Sequence, residues 1–216
     1  MVRRRVQREP VAYILGRKGF RRIELLVDRR VLIPRPETEL LVDVALEVGA
    51  ESVLDVGTGS GALALAVADE LPAAEVTAID ISMDAVRVAQ ANADRLGLTD
   101  RVEVTLRGIA SLDEAGTFDL LVANLPYVSE SEWEGLAPEI RQYEPREALV
   151  PGPSGLEAIE ALLQAVGGLD RRPTALALEI GAGQASAVSE LTRAAGYTEV
   201  DTRPDLAGLD RVVVGR

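Results

Sequence analysis

The 216-residue chain is 47% hydrophobic and 27% charged, with a net charge of −12, the balance of an α/β protein with one substantial core. It has no cysteine and no histidine, which excludes disulfides, thiol catalysis, an imidazole base and a histidine-built metal site; no metal is expected. No apolar run is long enough to span a bilayer, and no apolar signal core follows the N-terminal arginines, so a cytoplasmic protein with no membrane partner is expected.

Residues 1–30 hold ten basic side chains against three acidic ones, a local charge of +7 that leaves −19 on the remainder. An acidic body repels a phosphate backbone, so no direct nucleic-acid partner is expected, and the basic front reads as a solvated face. Residues 11–33 predict short strands, because VAYIL, IELLV and VLI are apolar and Gly16 and Gly19 interrupt them. They make a β-hairpin appendage over 1–36, ahead of a catalytic domain over 37–216. The turn PRPETE at 34–39 is stiffened by two prolines and opens a helix that runs to Val48 and stops at Gly49. Arg35, between the prolines, is either a plain surface arginine or a clamp on a carboxylate or main-chain carbonyl near a site.

From residue 52 strands and helices alternate. Strands are predicted at 52–56, 75–80, 101–106, 118–123 and 174–180, and helices at 61–71, 83–96, 156–166 and 184–195. A terminal strand pair, which brings an antiparallel strand to the end of the sheet, follows at 197–202 and 211–214. This alternation predicts a doubly wound, mostly parallel sheet of order 3-2-1-4-5. The longest stretches without an element are 108–117 and 128–154; the second reads as a lid or substrate-facing loop.

The first of these strands runs into Asp55-Val-Gly57-Thr58-Gly59-Ser60-Gly61, and a helix follows at once. Glycines there allow a tight turn and a close approach of backbone N–H groups to a ligand. Asp80 ends the next strand, the position of a carboxylate that accepts from ribose hydroxyls. A glycine turn with a capping aspartate is the plain alternative, but strand, loop, helix and spaced acid together favour a nucleoside site. Gly57-x-Gly59-x-x-Ala62 also satisfies the loose dinucleotide pattern, so a nicotinamide dehydrogenase is a rival. Asp55 and glycines at every second position suit S-adenosylmethionine better, with Asp55 facing the amino-acid portion of the ligand.

The strand at 118–123 is apolar to its end and then presents Asn124-Leu125-Pro126-Tyr127. Pro126 stops the strand, and Leu125 before it is held extended. Asn124 with the neighbouring carbonyls suits a planar NH2 group, although Asn and Pro are also ordinary turn residues. In the predicted strand order the glycine loop and Asn124 lie side by side at the switch point.

Assembled, these residues resemble the glutamine methyltransferases that modify peptide-chain release factors, the HemK/PrmC type. EPVAYILG at 9–16, VLIPRPETELLVD at 31–43, VLDVGTGSGALALA at 53–66, FDLLVANLPYV at 118–128, YEPREAL at 143–149 and LEIGAGQ at 178–184 carry the likeness. The resemblance implies a Rossmann-like class I S-adenosylmethionine-dependent methyltransferase fold, with S-adenosylmethionine as donor and the Gly-Gly-Gln loop of a release factor as acceptor. It implies that residues Gly57 to Gly61 and Asp80 hold the donor. Asn124 and the Leu125-Pro126 backbone would hold the glutamine amide, with Tyr127 packing nearby and Arg35, Pro36 and Glu37 on the substrate side. A monomer is expected.

Three departures mark this chain. Leu125 replaces the first proline of the family's usual Asn-Pro-Pro-Tyr, a variant shared with RNA adenine methyltransferases. Gly108-Ile109 fall where the family often carries an acid and an aromatic beside the adenine, leaving Ile109 to pack on the ring. The family's helical domain before the Glu-Pro motif is expected to be either naturally absent or truncated here. The alternatives are a ribosomal-protein glutamine or nucleic-acid adenine N6-methyltransferase and, more distantly, a dehydrogenase or a non-catalytic adapter.

Overall fold

The computed structural model describes residues 1–216, apart from the side chains at 114 and 115. Helices α1 (Val2–Val6) and α2 (Val11–Leu15) precede a hairpin of strands β1 (Arg17–Phe20) and β2 (Ile23–Leu26). A 3-10 turn at Pro36–Thr38 leads into α3 (Glu39–Val48). Then come β3 (Ser52–Val56), α4 (Ala62–Glu70), β4 (Glu75–Asp80), α5 (Met83–Leu96), β5 (Val102–Leu106) and β6 (Leu120–Ala123). Short helices α6 (Glu130–Trp133) and α7 (Pro138–Tyr143) precede α8 (Glu157–Gly167), β7 (Ala175–Glu179), α9 (Ala185–Ala194), β8 (Val200–Pro204) and β9 (Asp210–Gly215).

Local chemistry sets these boundaries. Ser82 caps α5 by accepting from the Ala85 N–H at 3.3 Å, Asp84 lies in the first turn, and Gly97 ends the helix in the left-handed region. The main sheet has the order β5-β4-β3-β6-β7-β9-β8. Its first five strands run parallel, and β9 lies antiparallel between β7 and β8. This is the predicted doubly wound order with its antiparallel end.

The central strands β3, β6 and β7 are buried on both faces. Along β6, Leu120 and Val122 join the core beneath α3, α4 and α5, whereas Leu121 and Ala123 join the core beneath α8 and α9. The hairpin is fused to the first of these cores, since Phe20, Ile23 and Leu25 pack in the same cluster as Val53 and Leu63. One buried amide reinforces the joint. Asn92 on α5 donates from Nδ2 to the Leu26 carbonyl (3.0 Å) and the Ser60 carbonyl (2.9 Å), and its Oδ1 accepts from the Leu26 N–H (2.7 Å). The hairpin edge and the glycine loop are thus held to the same helix.

The structure corrects the N-terminal reading. VAYIL is the single-turn helix α2, not a strand. Pro10 starts it, its carbonyl accepting from the Ile14 N–H (3.1 Å), and Gly16 stops it at φ +71°. A five-residue apolar run has too little length to show which period it follows. VLI forms no strand either: Val31 and Ile33 are buried, but the Ile33 N–H donates to the Glu144 carboxylate (3.1 Å) rather than to a ladder. The last strand pair begins three residues later than predicted. Tyr197 is instead a buried anchor whose hydroxyl donates to the Pro173 carbonyl (2.9 Å).

Candidate active site

Strands β3 and β6 are parallel neighbours, and their last residues, Val56 and Ala123, are paired in register. The loops that follow therefore leave the sheet side by side. Gly57 has φ +77°, and a Cβ there would stand 3.0 Å from Leu125 Cδ2 and 3.9 Å from the Asn124 carbonyl oxygen. Glycine is what lets the two loops approach so closely. Together they line one cavity of about 480 Å³, well within the range of small-molecule sites.

Gly57, Thr58, Gly59, Ser60 and Asp80 line one side of this cavity. Asn124, Leu125 and Pro126 line the other, and Ile81 and Ile109 add apolar surface. Asp80 is fixed by two backbone donors, the Gly59 N–H on Oδ2 (2.9 Å) and the Ser82 N–H on Oδ1 (2.8 Å). Each oxygen keeps a lone pair for a further donor. Burial raises its pKa above the usual carboxylate value, against the pull of those backbone bonds.

Asp55 does not face the cavity as the sequence suggests. It lies on the sheet face of Val53, fully buried under α4, where Oδ2 accepts from the Thr58 hydroxyl (2.7 Å) and the Ala64 N–H (3.2 Å). It ties the glycine loop to the first turn of α4. Its Oδ1 has no hydrogen-bond partner among the described residues, and burial pushes the carboxyl up to about 7. Gly61 likewise stays off the cavity wall, capping α4 at φ +81°.

On the acceptor side the structure adds residues that carried no functional role in the sequence. Asn124 Nδ2 donates to Thr38 Oγ1 (3.0 Å), and the Thr38 hydroxyl donates to Glu179 Oε2 (2.6 Å). The Tyr127 hydroxyl donates to Glu179 Oε1 (3.1 Å). Thr38 occupies the first-turn position expected of a helix cap, yet its hydroxyl makes no capping bond. Glu179, the last residue of an otherwise apolar β7, is buried. An acid closing such a strand was the available signal. Below Tyr127, Gln184 donates to its carbonyl (3.0 Å) and accepts from the Gly181 N–H (2.8 Å). Gly155 closes in from the other side, where an added Cβ would stand 2.5 Å from the Tyr127 carbonyl oxygen.

Tyr127 therefore packs behind the cavity, and Arg35, Pro36 and Glu37 also lie off its wall. Arg35 clamps a carboxylate: Nη2 donates to Glu144 Oε1 at 2.6 Å. Glu144 is buried and also accepts from the Ile33 N–H. The pair pins the segment carrying Thr38 to the chain after α7.

A family of methyltransferase domains matches residues 53–143, from β3 through α7. Among solved structures, the N-terminal domain of human METTL16 in complex with SAH is similar in fold, with a TM-score of 0.64 at 16% identity over 88% of this chain and 75% of that one. The sheet is that of the class I methyltransferases. Release factor glutamine methyltransferase from Caulobacter vibrioides is 45% identical over 98% of this chain and 75% of its own length. The enzyme of the same name from Chlorobaculum tepidum is 42% identical over 97% and 75%. At such identity along nearly all of its length, with the strand order and the paired loops in place, the chain belongs to the release factor glutamine methyltransferase family.

Proposed function

We propose that the protein transfers a methyl group from S-adenosylmethionine to the side-chain amide nitrogen of the glutamine in a release factor's Gly-Gly-Gln loop. The observation that carries this reading is the single cavity shared by the glycine loop after β3 and Asn124 after β6. Family membership supports the acceptor, and a structure of this fold solved with SAH supports the donor. The residues present fit the donor. Gly57 to Ser60 form a cradle that a Cβ at Gly57 would fill, Asp80 offers a fixed carboxylate for vicinal hydroxyls, and Ile81, Ile109 and Leu125 offer faces for a ring. Bound there, S-adenosylmethionine supplies an electrophilic methyl group on a sulfonium.

The protein's own part is positioning and electrostatics. An amide nitrogen is a weak nucleophile because its lone pair is delocalised. Asn124 Oδ1 and the Leu125 carbonyl accept the two N–H bonds of the acceptor amide. They turn its nitrogen toward the donor and favour the positive charge that grows on it as the new N–C bond would form and the sulfonium S–C bond would break; the methylated nitrogen, then strongly acidic, would give up one proton to solvent. No strong base is needed, which agrees with a chain that has no histidine. Pro126 keeps the Leu125 carbonyl from swinging, and Gln184 and Glu179 hold Tyr127 from behind.

On this reading 37–216 acts as the catalytic unit, and the 1–36 appendage packs on it and adds Arg30, Val31, Leu32 and Pro34 to the cavity wall. No helix among the described residues is long and apolar enough to cross a membrane. On this reading the protein acts as a monomer in the cytoplasm, on the translation machinery.

The test is transfer of labelled methyl from S-adenosylmethionine to a release factor, mapped by mass spectrometry, with an adenine-containing RNA oligonucleotide as the competing acceptor. Label on the Gly-Gly-Gln glutamine alone is expected; label on the RNA alone refutes the reading. On the donor side, Asp80→Ala is expected to weaken S-adenosylhomocysteine binding by about tenfold or more, the loss of a charge-assisted bond. An unchanged dissociation constant by calorimetry takes Asp80 out of the donor site.

A further inference from the structure

A side-chain amide can present its oxygen or its nitrogen with almost the same shape, and only the oxygen accepts a hydrogen bond from a substrate NH2. Two contacts decide which face Asn124 shows. Thr38 Oγ1 lies 3.0 Å from Asn124 Nδ2 and 2.6 Å from Glu179 Oε2. A hydroxyl has one proton to give, and an ionised carboxylate can only accept. Ionised Glu179 therefore accepts the hydrogen bond from the Thr38 hydroxyl. The Thr38 oxygen is left to accept from Asn124 Nδ2, and Asn124 Oδ1 turns to the cavity.

We propose that Glu179 is a positioning residue, acting through the Thr38 hydroxyl, that holds the Asn124 amide with its oxygen toward the methyl acceptor and releases that hold when it takes up a proton. Protonated Glu179 can donate to Thr38. The Thr38 proton is then free for Asn124 Oδ1 once the amide turns over, and the two bonds linking Glu179, Thr38 and Asn124 reverse their polarity. The inference rests on the acceptor reading above, because orientation matters only if an NH2 group is bound.

The surroundings suit a switch near neutrality. Glu179 is buried at the end of β7, and that burial pushes its carboxyl up to about 7 against the opposing Thr38 and Tyr127 hydrogen bonds. The charged groups facing it are Glu37, on the turn before α3, which raises its proton affinity, and Arg211, on β9, which lowers it. Tyr127 is itself pushed up by burial and by Glu179, so its phenol stays a donor throughout. The three parts come from the turn before α3, the end of β6 and the end of β7, and Thr38 and Glu179 are 141 residues apart.

The experiment has two arms. In the first, the Asn124 side-chain NH2 resonances of the ¹⁵N-labelled full chain are followed against pH without substrate. They are expected to shift with a midpoint near 7 in the wild type, and to be independent of pH in Glu179→Gln. In the second, turnover is measured at saturating donor and acceptor. Thr38→Val is expected to lower kcat by roughly 30-fold with donor binding unchanged, the scale of a misplaced reacting group, whereas Thr38→Ser restores most of it. The acid limb of the wild-type pH profile disappears in Glu179→Gln. Wild-type kcat in folded Thr38→Val, or Asn124 resonances that titrate identically in Glu179→Gln, overturns the proposal. Should Thr38→Val fail to fold, the Glu179→Gln resonances decide alone. If the wild type methylates no glutamine while its Asn124 resonances still follow Glu179, the acceptor reading fails and the positioning role stands.

Discussion

Replacing Asn124 with alanine is expected to slow methyl transfer to glutamine by roughly 100-fold or more at saturating donor, the scale of removing one preorganised polar contact from a closed site. The reason lies in what the acceptor must do. As its nitrogen begins to bond to the methyl carbon, its two N–H groups become stronger donors, so an acceptor fixed opposite them stabilises the transition state more than the ground state. Asn124 is fixed in this way: β6 delivers its backbone, Pro126 stiffens the following turn and Thr38 holds its Nδ2. The loss should fall mainly on kcat, since the contact strengthens as the reaction proceeds. Near-normal turnover in a variant that still binds S-adenosylhomocysteine would show that the acceptor is held by other groups.

The second large effect is on stability and its dependence on pH. Asp55 is fully buried, one of its oxygens is unpartnered, and its carboxyl is pushed up to about 7. The sign is the reverse of the usual carboxylate case. Between the unfolded value near 4 and the folded value the native state holds a proton that the unfolded chain has lost. Stability therefore falls as pH rises through that window, and the loss is complete above about 7. For one such group it approaches roughly 4 kcal/mol. Glu179 titrates in the same direction, and the chain has no histidine to add a competing term. Asp55→Asn removes the charge while keeping an acceptor for Thr58 and Ala64. Urea unfolding at pH 5 and pH 8 should show the wild type markedly less stable at the higher pH and the variant with a flatter profile. Parallel profiles for the two proteins contradict this account of Asp55.

The sheet order was legible because strand-length and helix-length segments alternate, and the central strands β6 and β7 read as almost unbroken apolar runs buried on both faces. The nearness of the glycine loop and Asn124 was legible too, since parallel neighbours at a switch point share a crevice. That of Thr38 and Glu179 was not. Thr38 looks like a helix cap and Glu179 like the polar end of a strand, and only the folded chain joins residues 141 positions apart. Asn92 escaped for the same reason: it sits in an ordinary amphipathic helix, and its partners are the hairpin edge and the Ser60 carbonyl. Asp55 was placed at the ligand by its motif. Strand alternation put it instead on the Val53 face, under α4.

On the proposed function, one cavity brings a bound donor to an amide gripped by Asn124. A crystal structure of the protein with S-adenosylhomocysteine and a Gly-Gly-Gln peptide tests it most directly. The sulfur compound is expected against Gly57 and Asp80, and the glutamine NH2 within hydrogen-bond distance, about 2.9 Å, of Asn124 Oδ1 and the Leu125 carbonyl. A glutamine seated elsewhere, or an Asn124 that shows it Nδ2 while Oδ1 faces Thr38, would contradict it.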